Sequence, residues 1–446
     1  MNAPRSFLDG RVVLHAGDCR EVLKTLGDCS VDSVVTDPPY HLISIVKRFG
    51  GKNAAPAKHG TFRRASAGFM GKQWDGGDIA FDVGLWAEVL RVLKPGGHLL
   101  SFSGTRTYHR MACAIEGAGF EVRDQIGWCF GSGFPKSQNV SKAIDKAAGA
   151  VREIVGPSAR HGGHASKTIK DYERFGDAGD FITRPAMDAA RAWQGWGTAL
   201  KPAWEPICIA RKPLSEKTIA ANLLRWGTGA INVDGCRVGI DGGTAGAGAG
   251  AGAVVYSDGL NGTFGKPVRG LGRWPANVVH DGSEEVLAAF PYRGYTGSNG
   301  GVIHFNSRRQ SVAYGKRKPH DGISPLDHAG SAARFFYGAK AGSDDRLCGK
   351  HPCVKPLDLL QYLVRLVTQK GGLCLDLFAG TGTTGEACFR EGMRAILIER
   401  EAEYCADVAR RMQLCTAGPS ERSRESIKAS GRVDGAGPLF VWGAGE

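Results

Sequence analysis

Toward both ends of the chain, short apolar runs of strand length alternate with stretches whose apolar positions recur at helical spacing. Residues 12–15 and 34–36 form two such runs, and residues 18–26 carry the helical period between them. Leu85, Trp86, Val89, Leu90 and Leu93 lie on one helical stripe, which the breaker Lys94-Pro95-Gly96-Gly97 ends. The pattern then predicts a strand over 98–103, a helix over 108–116 and a strand over 120–130. Strands alternating with helices predict a parallel sheet.

From about 131 to 330 the pattern loosens, and Pro, Gly and Trp become frequent. Residues 244–253 read TAGAGAGAGA, a low-complexity segment expected to be mobile. Within this region, 204–211 predicts a strand and 215–226 a helix capped by Ser215. Regular alternation returns near Arg334-Phe335-Phe336-Tyr337. Pro356 opens a helix running to residue 367, with Asp358 in its first turn, where the helix dipole favours an acid. A strand over 371–378, a helix over 383–390, a strand over 394–399 and a helix over 401–413 follow. Residues 416–446 are a Gly-, Ser- and charge-rich tail with little to bury, expected to be disordered. There is no internal repeat.

Composition narrows the class. Apolar residues at 42% and charged residues at 23% fit a soluble globular protein. No apolar run approaches the ~20 residues of a membrane helix, and the N-terminus MNAPRSFLDGR lacks a secretory signal's apolar core. The twelve cysteines have no repeated spacing, which favours reduced thiols in a cytoplasm. Cys348-x-x-His351-x-Cys353 matches no common zinc spacing, so no metal is expected.

The net charge of +13 is concentrated in two places. Residues 41–74 hold seven cations, Lys47, Arg48, Arg63 and Arg64 among them, and no acid. Residues 291–320 hold six, including Arg308, Arg309, Lys316 and Arg317, again without an acid. Aromatics are interleaved in both: Phe49, Phe62, Phe69 and Trp74, then Tyr292, Tyr295, Phe305 and Tyr314. Clustered cations with rings between them suit a phosphate backbone and unstacked bases. The plainer reading of either segment is a solvated loop.

Two motifs carry candidate chemistry. Thr36-Asp37-Pro38-Pro39-Tyr40 ends an apolar run. Each proline fixes φ at about −65° and removes a donor, so two in succession make a rigid row of carbonyl acceptors. With a carboxylate at one end and a ring at the other, that wall suits a flat polar ligand. Asp376, Phe378, Gly380, Thr381, Gly382, Thr383 and Gly385 lie in the second motif, DLFAGTGTTGEA, a strand end followed by a glycine turn into a helix. A phosphate-binding P-loop needs Lys where Glu386 stands, and that acid would repel a phosphate. A dinucleotide fold fits the Gly380-x-Gly382-x-x-Gly385 spacing and the position of Glu399, but after the glycine turn's helix only one further strand, ending at Glu399, and one helix precede the tail. The remaining reading is S-adenosylmethionine, with Glu399 on the ribose hydroxyls and the sheet completed by N-terminal strands.

With both motifs in place, the chain resembles the amino-methylating DNA methyltransferases of the permuted "beta" arrangement. In that group a (D/S/N)PP(Y/F/W) tetrapeptide precedes a target-recognition region, and an FxGxG cofactor loop comes last. Here these are Asp37-Pro38-Pro39-Tyr40 and Phe378-Ala379-Gly380-Thr381-Gly382. Gly17-Asp18-Cys19 looks like the acid that contacts the cofactor adenine, and His351-Pro352-Cys353-Val354-Lys355-Pro356 looks like the HPTxKP segment beside the methionine moiety, with Cys353 departing from the usual Thr. The resemblance covers roughly residues 12–150 and 331–413.

That resemblance implies a Rossmann-like class I methyltransferase fold, a mostly parallel sheet with helices on both faces. It implies a catalytic half over 1–150, a target-recognition region over 151–330 with a flexible loop near 241–265, and a cofactor half over 331–415. Asp37, Pro38, Pro39 and Tyr40 would be catalytic. Asp18, Cys19, Asp37, Lys355, Asp376, Phe378, Gly380 to Thr383 and Glu399 would line the S-adenosylmethionine site. The activity implied is methylation of the N6 amine of adenine in double-stranded DNA after base flipping. Adenine is preferred because members with Asp in the tetrapeptide usually methylate it, whereas N4-cytosine members usually carry Ser. A homodimer in the cytoplasm, on the nucleoid through its DNA, is also implied. No nuclease motif is visible, so methylation without cleavage is expected. The rival readings are an N4-cytosine methylase, an RNA methylase, a DNA-binding protein with an inactive methylase scaffold and, more distantly, a dinucleotide oxidoreductase.

Overall fold

The computed structural model describes residues 3–40, 78–133, 137–157, 181–239, 272–290, 292–293, 330–339, 345, 347, 354–418, 420–422 and 424–425. By compactness the chain divides into one unit of residues 1–131 with 204–446, and another of residues 132–203. The strands, in chain order, are β1 (Arg5–Phe7), β2 (Val12–Ala16), β3 (Val31–Thr36), β4 (Leu93–Phe102), β5 (Glu121–Cys129), β6 (Glu153–Pro157) and β7 (Phe181–Arg184). They continue as β8 (Trp204–Arg211), β9 (Val278–His280), β10 (Tyr292–Arg293), β11 (Gly330–Ser331), β12 (Tyr337–Gly338), β13 (Leu373–Asp376) and β14 (Arg394–Glu399).

Ten of these form one sheet in the order β1-β2-β14-β13-β3-β4-β8-β5-β9-β12. From β2 to β4 all neighbours run parallel, and β8 lies antiparallel between β4 and β5. Alternation sends successive side chains to opposite faces. Val34, Leu99, Leu375 and Ile398 bury on one face against Leu85, Trp86 and Val89 of the Val83–Val92 helix and Met111 and Ile115 of the Tyr108–Gly117 helix. Val35, Leu14, Leu100 and Leu397 bury on the other, against Leu359, Leu363 and Val364 of the Leu357–Val367 helix and Val408 and Met412 of the Ala402–Leu414 helix. A sheet covered on both faces requires apolar residues at consecutive positions, which is why its strands read as continuous apolar runs. This is a doubly wound α/β fold, as expected.

The order of the sheet reverses between β13 and β3. From β13 it builds outward through β14 to β2, and from β3 through β4. In such sheets the crevice at the C-terminal ends of the strands flanking the reversal is where ligands bind. TDPPY leaves β3 there, and DLFAGTG leaves β13 beside it.

Three local expectations change. The breaker at 94–97 ends the helix but continues directly as the start of β4. Lys94 pairs with Asp32 on β3 at 2.5 Å, Gly96 takes φ +80°, and a Cβ on Gly97 would lie 2.8 Å from the Asp32 carbonyl. The helix expected from Ser215 begins at Ile219, with Thr218 as its cap. Buried Asn222 is the reason: its Oδ1 accepts the Ser215 N–H at 3.1 Å while its Nδ2 donates to the carbonyls of Pro95 and Thr228, holding 215–218 outside the helix. Finally, the main sheet draws β8 and β9 from the region 151–330.

The 132–203 unit contains the antiparallel pair β6–β7 and the helices Val140–Ala147 and Asp188–Ala192. Its centre is fully buried Asp145, which pairs with Arg152 at 2.6 Å and accepts the backbone N–H groups of Ala186 and Met187. No helix among the described residues is long and apolar enough to cross a membrane. The Gly/Ala segment near 241–265, and the cations Lys47, Arg48, Arg63, Arg64, Arg308, Arg309, Lys316 and Arg317, lie outside the described residues.

Candidate active site

Asp37 and Tyr40 lie just past the end of β3. The Tyr40 hydroxyl donates to Asp37 Oδ1 at 2.8 Å and accepts from Lys355 Nζ at 2.9 Å. Lys355 also reaches Asp37 Oδ2 at 3.2 Å and Glu205 Oε2 at 2.7 Å. Its ammonium stands 4.8 Å from the Phe102 ring centroid, 5.3 Å from Tyr40 and 5.8 Å from Trp128, distances at which ring faces attract a cation. The Tyr40 backbone is held by the Thr107 hydroxyl, which donates to its carbonyl at 3.0 Å. A Cβ on Gly104 would lie 3.3 Å from Tyr40 Cδ2, so the missing side chain leaves room for the ring. Pro38 is buried and Pro39 half-buried.

One residue earlier, Thr36 links this corner to the second motif. Its hydroxyl donates to Asp376 Oδ1 at 2.8 Å and accepts the Leu377 N–H at 3.2 Å. Asp376 also accepts from Thr384 Oγ1 at 2.6 Å and from the Phe378 N–H at 3.1 Å. Burial raises its carboxyl to about 6 against the pull of these donors, and the nearby Asp37 charge adds to the rise.

The glycine loop then crosses the crevice. Gly380 and Gly382 adopt φ +53° and +78°, a region that side chains other than Gly rarely enter. The Gly380 N–H donates to Glu399 Oε2 at 2.8 Å, and the Glu401 N–H to Oε1 at 2.9 Å. Burial, with a smaller contribution from Asp376, pushes the Glu399 carboxyl up to about 7. The Gly17 N–H donates to the Glu399 carbonyl at 2.9 Å, which brings Asp18 to the same edge. Asp18 caps its helix and pairs with Arg20 at 2.8 Å, and the guanidinium holds its carboxyl below the usual range. The neighbouring Cys19 thiol is buried and pushed up to about 12, so it stays protonated and inert at neutral pH. Thr381 and Thr383 are buried, their hydroxyls 3.3 Å apart.

Sequence-predicted residues from both motifs therefore meet along one edge, with Asp37, Asp376 and Glu399 as successive acids. Lys355, which the resemblance gives to the cofactor together with Asp37, has its ammonium in the Asp37 corner. Glu386, read as an acid that would repel a phosphate at the loop, is fully buried on Arg411 at 2.7 Å and on Arg390 and Arg422 at 2.9 Å each. Burial pushes its carboxyl up, but the Arg411 and Arg422 charges outweigh that and hold it below the usual range. Arg422 lies in the segment read as a tail, so that segment is docked at its start. Glu205 was not anticipated. Its one sequence signal is an isolated acid in the otherwise apolar run 204–210.

Among the described residues the crevice is lined by Asp37, Asp376 and Glu399 beside a glycine loop, a lining that suits a cationic ligand better than a pyrophosphate. Among the described residues no group of acids, histidines and cysteines could hold a metal ion.

The model of the DNA methylase family, N6/N4 type, matches residues 31–155 and 308–410, about half the chain. Type II methyltransferase M.HindIII of Haemophilus influenzae is 26% identical over 229 residues, covering 47% of this chain and 61% of that protein. Type II methyltransferase M2.DpnII of Streptococcus pneumoniae is 39% identical over 94 residues, covering 21% of this chain and 35% of that protein. The chain thus spans less than two thirds of these relatives. The crystal structure of the M1.HpyAVI–SAM complex aligns with 90% of this chain and all of its own, at 14% identity and a TM-score of 0.37.

Proposed function

The chain belongs to the DNA methylase family of N6/N4 type, and from that premise we propose that it transfers a methyl group from S-adenosylmethionine to the N6 amine of adenine in duplex DNA. The observation that carries this reading is the Thr36–Asp376 hydrogen bond, which sets the Asp37 corner against the glycine loop in one crevice. Residues 378–383, Glu399 and the Gly17-Asp18 turn would hold the cofactor, with Glu399 accepting the ribose hydroxyls. When bound, the cofactor supplies an electrophilic methyl carbon on a sulfonium.

An exocyclic amine is a poor nucleophile because its lone pair is delocalised into the base. Asp37 and the Pro38 carbonyl each accept one amine N–H, which turns the nitrogen toward a tetrahedral shape and aims its lone pair at the methyl group. Positioning carries much of such a step, worth on the order of 7–11 kcal/mol at its best. Tyr40 stacks on the extruded base, worth about 1–3 kcal/mol. The target must leave the duplex to reach this wall.

Adenine over cytosine rests on Asp at the head of the tetrapeptide. The test uses methyl-labelled S-adenosylmethionine, duplex DNA and digestion to nucleosides. Label in N6-methyladenine supports the reading. Label in N4-methylcytosine overturns the choice of base, and absence of label from DNA overturns the activity. The target-recognition role of the region between the motifs is part of the same proposal.

A further inference from the structure

Resting on that reading, we propose that Glu205 is a positioning residue of the methyl-transfer corner: it draws the Lys355 ammonium off Asp37, which keeps the Asp37 carboxylate a strong acceptor for the target amine.

The geometry assigns this role. An ammonium has three N–H donors and no acceptor, and among the described residues three oxygens stand around Lys355 Nζ. Glu205 is nearest at 2.7 Å, Tyr40 follows at 2.9 Å and Asp37 lies at 3.2 Å. Of the two described carboxylates, the one outside TDPPY therefore holds the cation more closely. Lys355 is only 10% exposed, with the rings of Phe102, Tyr40 and Trp128 around it, so its charge is weakly screened and its distance to each carboxylate matters.

Among the described residues, two carboxylates stand against one ammonium, an excess of acid that favours N–H donors from a substrate amine. With Glu205 neutral, Asp37 is the remaining anion beside Lys355. The ammonium closes on it, and its oxygens are spent on a salt bridge.

Local structure fixes Glu205 for this purpose. It sits on β8 opposite Trp128 of β5, and Ile207, on the same face, sits opposite Phe102 of β4, so the acid and both rings share one face of the sheet. The adjacent Trp204 ring occupies the space over Gly127, where a Cβ would lie 1.7 Å from it, and this pins the strand end that bears Glu205.

The test compares Glu205→Gln, which keeps size and loses charge, with Glu205→Asp, which keeps charge, in the full chain. With both substrates saturating, Glu205→Gln lowers kcat by about 100-fold while KM for S-adenosylmethionine and for DNA hold, and Glu205→Asp recovers part of the loss. In a Lys355→Met background Glu205→Gln causes no further loss, because it acts through the lysine. In the cofactor-free protein, the Asp37 carboxyl carbon resonance shifts in Glu205→Gln as the ammonium closes on it. Wild-type kcat in Glu205→Gln, additive losses in the double variant, or an unmoved Asp37 resonance overturns the proposal. A wild-type chain that leaves DNA unmethylated while the resonance shifts overturns the functional reading instead.

Discussion

The Thr36 hydroxyl donates to the Asp376 carboxylate across 2.8 Å, between residues 340 positions apart in the chain. Asp376 is fully enclosed, so its donors cannot be replaced by water. Thr36→Val removes one of them at nearly constant volume. The expected cost is about 1–3 kcal/mol of stability, read as a lower urea midpoint with an unchanged slope.

Asp37 holds no such structural post. It lies beyond the end of β3, a quarter exposed, and its partners are Tyr40 and Lys355. Asp37→Ala is expected to abolish methyl transfer while S-adenosylmethionine binding, measured by calorimetry, mostly survives. Wild-type turnover in this variant discards the assignment.

Arg411 connects the buried acid of the 383–390 helix to the cofactor loop. It pairs with Glu386 and donates to the Thr381 carbonyl at 2.9 Å. Arg411→Met leaves buried Glu386 with Arg422 and Arg390 as its remaining partners and is expected to cost about 1–3 kcal/mol, with weaker cofactor binding as the loop loses its anchor. Arg390, on the exposed rim of the same cluster, is expected to cost no more than about 1 kcal/mol when changed to Met. Thermal melts of the two variants side by side check the contrast.

Gly385 is required by close approach. A Cβ there would lie 2.7 Å from Leu397 Cδ1 and 3.3 Å from Val12 Cγ1, so the buried Leu397 side chain or the helix would have to shift. Gly385→Ala is expected to destabilise by about 1–3 kcal/mol, against the usual benefit of Ala over Gly in a helix. A raised melting temperature contradicts this packing.

Glu399 sets a pH dependence. Burial raises its carboxyl from 4.5 to about 7, so the folded chain binds this proton more tightly than the unfolded one. Its contribution to stability is fully present below 4.5 and is lost as pH rises through about 7. At about 1.4 kcal/mol per unit, Glu399→Gln should remove about 3 kcal/mol of the fall in stability between pH 5 and pH 8. Urea melts across that range in wild type and variant measure it.

Much of this was readable from the chain because the chemistry sits at strand ends flanked by glycine and proline. The bounds of the 383–390 helix, β8 and β14 are as predicted, since each is an apolar or amphipathic run with clear breakers. What escaped depends on contacts distant in sequence. β9 and β12 are three and two residues long, and they form by pairing in turn onto the sheet, β9 on β5 and β12 on β9. The start of the helix after β8 is set by Asn222 reaching Pro95, 127 residues away. Glu205 meets Lys355 across 150 positions, and no local pattern encodes that.

The central claim is that the Asp37 corner and the glycine loop of one chain form a single methyl-transfer site. The most direct measurement mixes two inactive variants, Asp37→Ala and Gly382→Trp, and follows methyl transfer to duplex DNA beside the wild type. If each site is built within one chain, the mixture stays as inactive as its components at every ratio and concentration. Recovery of activity on mixing would contradict the account, because the two motifs would then have to meet across different chains.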